Sequence, residues 1–231
     1  MASDGNSVNQ SPLTVRALNR ALLARQMLLQ REKLKAAAVV EKLIGLQAQQ
    51  TRAAFIGLWS RIEGFERQEL LKLCNARKVI KASMMRVTLH LMTAKDYLAF
   101  RQALQPMLSF AMNTILNDRA ADLPLETILA AARDVLTQRP HTFTELRAHL
   151  VKSCGHPDER AMGFAVRTLL PLVSLPSDHT WGFPTDSSFT LAETWIGQTP
   201  VPDSGMEALV RRYLAAFGPA AAGDFQSWSG F

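Results

Sequence analysis

Apolar residues recur every three or four positions through most of this chain, and every second position in one short stretch. Behind Ser11-Pro12, a hydroxyl N-cap with proline at the first helical position, Val15, Leu18, Leu22 and Leu29 follow helical spacing and predict a helix to about residue 29. Arg16, Arg20 and Arg25 lie off that stripe. A second helix over 34–46 buries Val39, Val40, Leu43 and Leu46, and a third over 51–62 carries Phe55, Leu58 and Trp59 before Gly64 ends it. A short helix over 67–75 follows. From Met85 the period changes to two: Val87, Leu89 and Leu91 share one face and Arg86, Thr88 and His90 the other, the pattern of a half-buried strand. Residues 79–83 supply its hairpin partner. Three helices and a hairpin in this order make a winged helix, after which a long helix is expected over about 94–116.

The order then returns. Residues 125–138 are helical up to Pro140, Thr142-Phe-Thr-Glu145 is a capping box opening a helix to about Lys152, and 157–170 forms a third helix carrying Arg160 and Arg167. Residues 172–175 and 190–192 flank a Pro/Asp/Ser/Gly-rich stretch around His179-Thr-Trp-Gly182 that suits a wing. Pro200 and Pro202 mark a linker, and two further helices over 206–217 and 219–228 open a third copy. Its apolar residues Leu209, Tyr213, Leu214, Phe217, Phe225 and Trp228 lack a third helix and sheet to pack on, so an incomplete, truncated unit is expected. The expected fold is mainly α with small β-hairpins: a loose tail at 1–10, winged-helix units at 11–118 and 119–197, and the start of a third at 198–231. Trp59, Trp181, Trp195 and Trp228 are expected in the core.

Composition narrows the class. With 48% apolar and 20% charged residues, the chain folds around a core rather than remaining disordered. It has no apolar run long enough to cross a bilayer and no secretory signal at its start, which points to the cytoplasm and away from membrane partners. Cys74 and Cys154 stand far apart without a CxxC pair or a neighbouring histidine, so neither a zinc site nor a disulfide scaffold is expected. Charge placement says more than its net value of +6. Residues 14–86 hold 15 of the 26 Lys/Arg and 5 of the 20 Asp/Glu, a balance of +10, against −4 for the remainder. A basic segment of this kind favours phosphate backbones by counterion release, and equally suits an anionic membrane or solubility alone.

The most unusual local string is Gly45-Leu-Gln-Ala-Gln-Gln-Thr51, between the second and third helices of the basic unit. In an extended turn Gln47 and Gln49 point to one side and Ala48 to the other, so two amides converge. Such a pair orients water and stabilises positive charge without acid–base chemistry, although a glutamine-rich turn also touches phosphates or simply faces solvent. Arg86 and His90, on one face of the expected strand, suit a phosphate contact and either a proton shuttle or a structural hydrogen bond. Arg16, Arg20, Arg52, Arg61, Arg86, His90, Arg160 and Arg167 are the candidate DNA contacts. No Gly-rich phosphate loop, GxSxG elbow, HExxH or acidic metal cluster is present.

Several strings together resemble one family: Leu18-Asn-Arg-Ala-Leu-Leu-Ala-Arg-Gln26, Gly45-Leu-Gln-Ala-Gln49, Gly57-Leu-Trp-Ser-Arg61, Met85-Arg-Val-Thr-Leu-His-Leu91 with Asp96-Tyr97, and Arg212-Tyr-Leu-Ala-Ala-Phe-Gly-Pro219 with Asp224 and Trp228-Ser-Gly230. In order and over about residues 13–231, they resemble the AlkZ-like winged-helix DNA glycosylases. The resemblance implies three tandem winged helices followed by a β-barrel, of which this chain lacks most of the third unit and the barrel. It implies a monofunctional enzyme that excises N7-alkylated purines from double-stranded DNA and unhooks interstrand crosslinks. The family's motif of glutamine, apolar residue and glutamine, or aspartate in one branch, falls on Gln47, Ala48 and Gln49 and matches the glutamine branch, making Gln47 and Gln49 the catalytic pair, with no cofactor or metal and with a monomeric protein. The alternatives are a non-catalytic winged-helix DNA binder, an inactive truncated fragment, or a protein-interaction module.

Overall fold

A computed structural model describes residues 12–201 and 205–231; the tail at 1–10 and the Ser11 cap lie outside them. In chain order come α1 (Val15–Arg25), α2 (Ala36–Lys42), β1 (Leu46–Gln47), α3 (Thr51–Trp59), α4 (Arg67–Asn75), β2 (Val79–Ser83), β3 (Leu89–Thr93), α5 (Ala94–Phe100) and α6 (Gln105–Leu116). The second half adds α7 (Asp118–Ala121), α8 (Leu125–Gln138), α9 (Phe143–Cys154), α10 (Glu159–Leu169), β4 (Leu172–Ser174), β5 (Phe189–Leu191), α11 (Ala192–Ile196), α12 (Gly205–Phe217) and α13 (Ala222–Ser229). The protein is mostly helical with one small antiparallel sheet. Among the described residues no helix is long and apolar enough to cross a membrane. Cys74 and Cys154 are free thiols.

The two expected hairpins are not separate. Their four strands and β1 form one five-stranded sheet in the order β1-β3-β2-β4-β5, joined across the middle where Lys81 pairs with Ser174 and Ala82 with Val173. The sheet thus takes strands from both sides of the expected 118/119 boundary. Side chains alternate across it, so its two faces meet different cores. Val79 and Leu91 face a core built from α2, α3 and α4 around Val40, Phe55, Leu58 and Leu70. Ile80, Ala82 and Met92 face a core with Tyr97, Phe100, Leu108, Leu209 and Tyr213. A third core, around Ile128, Leu136, Leu146, Met162 and Val166, joins α6, α8, α9 and α10. The loop between β4 and β5 reaches back to the first core, where Phe183 is buried and Trp181 lies edge-to-face on Phe55 at 5.2 Å.

Four local expectations are corrected. The strand does not run over 85–91, because Met85–Val87 is a tight turn with Arg86 and Val87 at positive φ, and β3 begins only at Leu89. It is central rather than half-buried, since both faces are covered. The long helix over 94–116 breaks at 101–104, with Pro106 in the first turn of α6, where its missing N–H costs nothing. Helix α1 is capped by Thr14, whose hydroxyl accepts from the Ala17 N–H at 3.2 Å, and it buries no residue; Val15 is 74% exposed. Lastly, the apolar residues of α12 and α13 do not lack a partner: Leu209 and Tyr213 are buried in the second core, and Tyr213, Phe217, Phe225 and Trp228 form an aromatic cluster against it.

Other expectations stand. Thr142 and Glu145 form the capping box of α9, and Gly155 ends that helix in the left-handed region. Trp195 and Trp228 are half-buried, but Trp59 is 54% exposed beneath the Arg31 guanidinium, 3.9 Å from its ring centre.

Candidate functional site

The glutamine string lies on the edge of the sheet. After α2 the chain turns at Ile44 and Gly45, both at positive φ, and a Cβ on Gly45 would stand 2.9 Å from the Leu91 carbonyl oxygen and 3.0 Å from Met92 Cβ. Only glycine lets the backbone lie this close to β3. Beyond it Leu46 pairs with Leu91 and Gln47 with His90, and the Ala48 N–H donates to the Leu89 carbonyl at 2.7 Å. Ala48 is fully buried in the first core while Gln47 and Gln49 are exposed. The expected alternation is present.

The surroundings of the two amides differ. Gln47 opens on a cavity of about 180 Å³ shared with Gln26, Arg61, Arg86, His90 and Trp228, and its Oε1 accepts a long hydrogen bond, 3.5 Å, from Arg86 Nη2. Arg86 also donates to the Trp228 carbonyl, which ties the turn at 85–87 to α13. Gln49 Oε1 accepts from the Leu89 N–H at 3.2 Å, and Gln49 lines a larger cleft of about 730 Å³ with Arg52, Lys81, Arg147, Arg167 and Trp181. The amides therefore flank one strand edge but do not share one hollow. Among the described residues no Asp or Glu lines the cavity at Gln47, and Asp186 is the carboxylate that lines the cleft.

The family described as DNA glycosylase AlkZ-like matches residues 40–231, which include the glutamine edge, the cleft of Gln49 and α13. The chain belongs to the AlkZ-like DNA glycosylase family. Among solved structures, the chain is similar to Streptomyces sahachiroi DNA glycosylase AlkZ, with a TM-score of 0.75 at 21% identity, over 95% of this chain and 61% of that one. The present chain thus spans about three-fifths of the length of that relative, a likeness that establishes the fold. No curated protein sequence matches.

In this AlkZ-like chain the candidate basic residues separate by environment. Arg16 and Arg20 are exposed on α1, Arg86 on the turn beside Gln47, and Arg160 at the start of α10. Arg52 is exposed above Trp181, and Arg167, half-buried, donates to Ser83 Oγ at 3.1 Å; both face the cleft of Gln49. Arg61 is otherwise placed. It is 9% exposed and its guanidinium bonds the carbonyls of Gln26 (2.9 Å) and Gly57 (2.8 Å), fastening the segment after α1 to the end of α3. A guanidinium so engaged is a clamp rather than a free phosphate contact. Replacing Arg61 with Leu should lower the urea midpoint by an amount worth about 2 kcal/mol, whereas Arg86→Ala, which loses one exposed bond to the Trp228 carbonyl, should lower it by about 1 kcal/mol and weaken duplex binding.

His90 is 3% exposed, with Nδ1 2.9 Å from the Thr88 carbonyl. The carbonyl only accepts, so Nδ1 carries the proton and Nε2 retains its lone pair. Burial brings its pKa down to about 4, with the Arg86 charge a smaller contribution in the same direction and the bond to Thr88 opposing both. Of the shuttle and structural readings, the geometry matches the structural one. Because the unfolded chain binds this proton more readily, stability is present above the ordinary histidine range and is lost as pH falls through it. Urea unfolding at about pH 5 should show roughly 2 kcal/mol less stability than at pH 7, a difference reduced in His90→Gln.

Two cleft residues carried no weight in the sequence reading. Lys81 sits 5% exposed in the middle of β2, and Arg147 on α9 packs against Gly163 of α10, where a Cβ would meet Arg147 Cγ at 2.9 Å. A lone lysine inside the apolar string Val79-Ile-Lys-Ala-Ser83 was the available signal for the first.

Proposed function

We propose that this chain acts as a monofunctional DNA glycosylase on N7-alkylated purines in double-stranded DNA, including crosslinked ones, with Gln47 and Gln49 as its catalytic pair. The supporting observation is that both amides stand exposed on either side of a fully buried Ala48, at a strand edge flanked by two hollows and poor in carboxylates. That poverty suits the reaction. An N7-alkylated purine already carries positive charge, so its bond to C1′ breaks with the electron pair passing to the base, and no general acid is required. What remains is a cationic sugar and a water to capture it, for which the carbonyl dipoles of Gln47 and Gln49 are suited. Gln47 is the more available, because its bond from Arg86 is long, at 3.5 Å, whereas Gln49 must first release the Leu89 N–H at 3.2 Å. An open strand edge also admits a lesion tied to the opposite strand, which cannot rotate into a closed pocket.

In this reading residues 11–118 and 119–197 are two winged-helix units sharing a sheet, and 198–231 begins a third. Arg16, Arg20, Arg52, Arg86, Arg160 and Arg167 contact the backbone of the duplex, and the protein works as a cytoplasmic monomer without a cofactor. Incubation with a duplex bearing N7-methylguanine should release the free base, detected by chromatography. Salt-sensitive duplex binding without release would instead select a non-catalytic DNA binder, and the absence of salt-sensitive binding a protein-interaction module.

A further inference from the structure

We propose that Lys81, at the floor of the cleft beside Gln49, seats one phosphodiester of the bound strand, with Arg52, Arg147 and Arg167 closing around it. The inference rests on the DNA-binding part of the function proposed above, not on its chemistry.

Lys81 is placed by the middle of the sheet, between Leu91 of β3 and Ser174 of β4, and is therefore rigid. Its Nζ donates to Thr51 Oγ1 at 2.8 Å, and among the described residues it has no carboxylate partner. A buried ammonium with one neutral acceptor is costly to a fold, and two of its three donors remain for a ligand. The charged groups around it select that ligand. Arg167 packs beside it from α10, Arg147 from α9 donates through Nε to the Phe143 carbonyl at 3.3 Å and meets Glu159 only at 3.8 Å, and Arg52 enters from the first turn of α3. His179 and Asp186 complete the titratable lining, and one carboxylate does not balance the cations. A hollow of this size and sign, continuous with Gln49, fits a phosphate oxyanion of a nucleic-acid strand running past the glutamine edge.

Burial, and then the Arg167 charge, bring the Lys81 ammonium down to about 8. A phosphate against Nζ favours the charged form, so its pKa rises on binding, a proton is taken up, and affinity falls as pH climbs through the value of the free protein.

The test uses an undamaged duplex, so failure of base release leaves it intact and its own failure leaves the glutamine pair untouched. Duplex affinity measured by anisotropy at constant salt should weaken about tenfold between about pH 7 and pH 9. Calorimetry in buffers of different ionisation heat should show proton uptake near pH 8. Lys81→Arg, whose charge does not titrate there, should bind with the pH dependence removed. A flat wild-type affinity without proton uptake overturns the proposal whether or not the variant folds, as does a slope that persists in Lys81→Arg. Inorganic phosphate is the competing source of the same chemistry. If it binds with this pH dependence while the duplex does not, the cleft is a free-anion site and the strand assignment fails.

Discussion

Gln47→Ala is expected to slow single-turnover release of N7-methylguanine by about 10²- to 10³-fold, the usual cost of removing one preorganised dipole at a centre of developing charge. Gln49→Ala should cost less, because its carbonyl is engaged with the Leu89 N–H and only part of its contribution faces the lesion. The double variant should leave release near the spontaneous rate while duplex affinity stays within about threefold, since neither amide carries charge and the salt-dependent part of binding comes from cations elsewhere. Folding is not at risk at position 47, where the side chain is exposed and lies outside the cores. At position 49 the Leu89 N–H loses its partner at a solvent-facing edge, a loss of about 1 kcal/mol that a urea titration measures separately from activity.

The second large effect is on stability. Asp96 is 1% exposed at the start of α5 and receives both arms of Arg212 from α12; the Arg212 guanidinium also donates to the Glu41 carbonyl at the end of α2. One ion pair thus fixes α12 to α5 and α2, beneath the aromatic cluster that carries α13 and the Trp228 contact to Arg86. Arg212→Met strands a buried carboxylate and should reduce stability by on the order of 3 kcal/mol, lowering the melting temperature by about 10 °C. Replacing both partners with apolar residues of similar size should recover most of that loss, because the cost lies in the unpaired charge. Equal losses in the single and double variants would mean that packing, not charge, is responsible.

Much of this arrangement is legible in the sequence, and the exceptions share a physical cause. The Ala48 alternation and the Thr142–Glu145 box are local signals, and the structure reproduces both. The merged sheet is not local: no residue in Val79–Ser83 or Leu172–Ser174 announces that the two will pair. For the same reason Lys81 reads as a charge in a strand until β4 and the loop carrying Trp181 close over it. Alternation at 85–91 misled because turn residues can alternate by accident; the positive φ at Arg86 and Val87 follows from the turn, and neither residue type advertises it. Arg61 illustrates the limit of counting charge, since a guanidinium spaced like a DNA contact is engaged by backbone carbonyls. The separation of Gln47 and Gln49 into two hollows depends on neighbours far along the chain, Trp228 for one and Arg167 for the other.

In the proposed reaction, uncharged amides suffice at a base which already carries its own charge. That sufficiency is tested most directly by the pH dependence of N7-methylguanine release under single-turnover conditions with saturating protein, between about pH 5.5 and pH 7.5, where His90 stays neutral and Lys81 stays charged. The rate should be flat across that range and should fall to the spontaneous level at every pH in the Gln47/Gln49 double alanine variant. A limb of unit slope in the wild type, or release that survives the double substitution, would show that an ionising group elsewhere performs the cleavage.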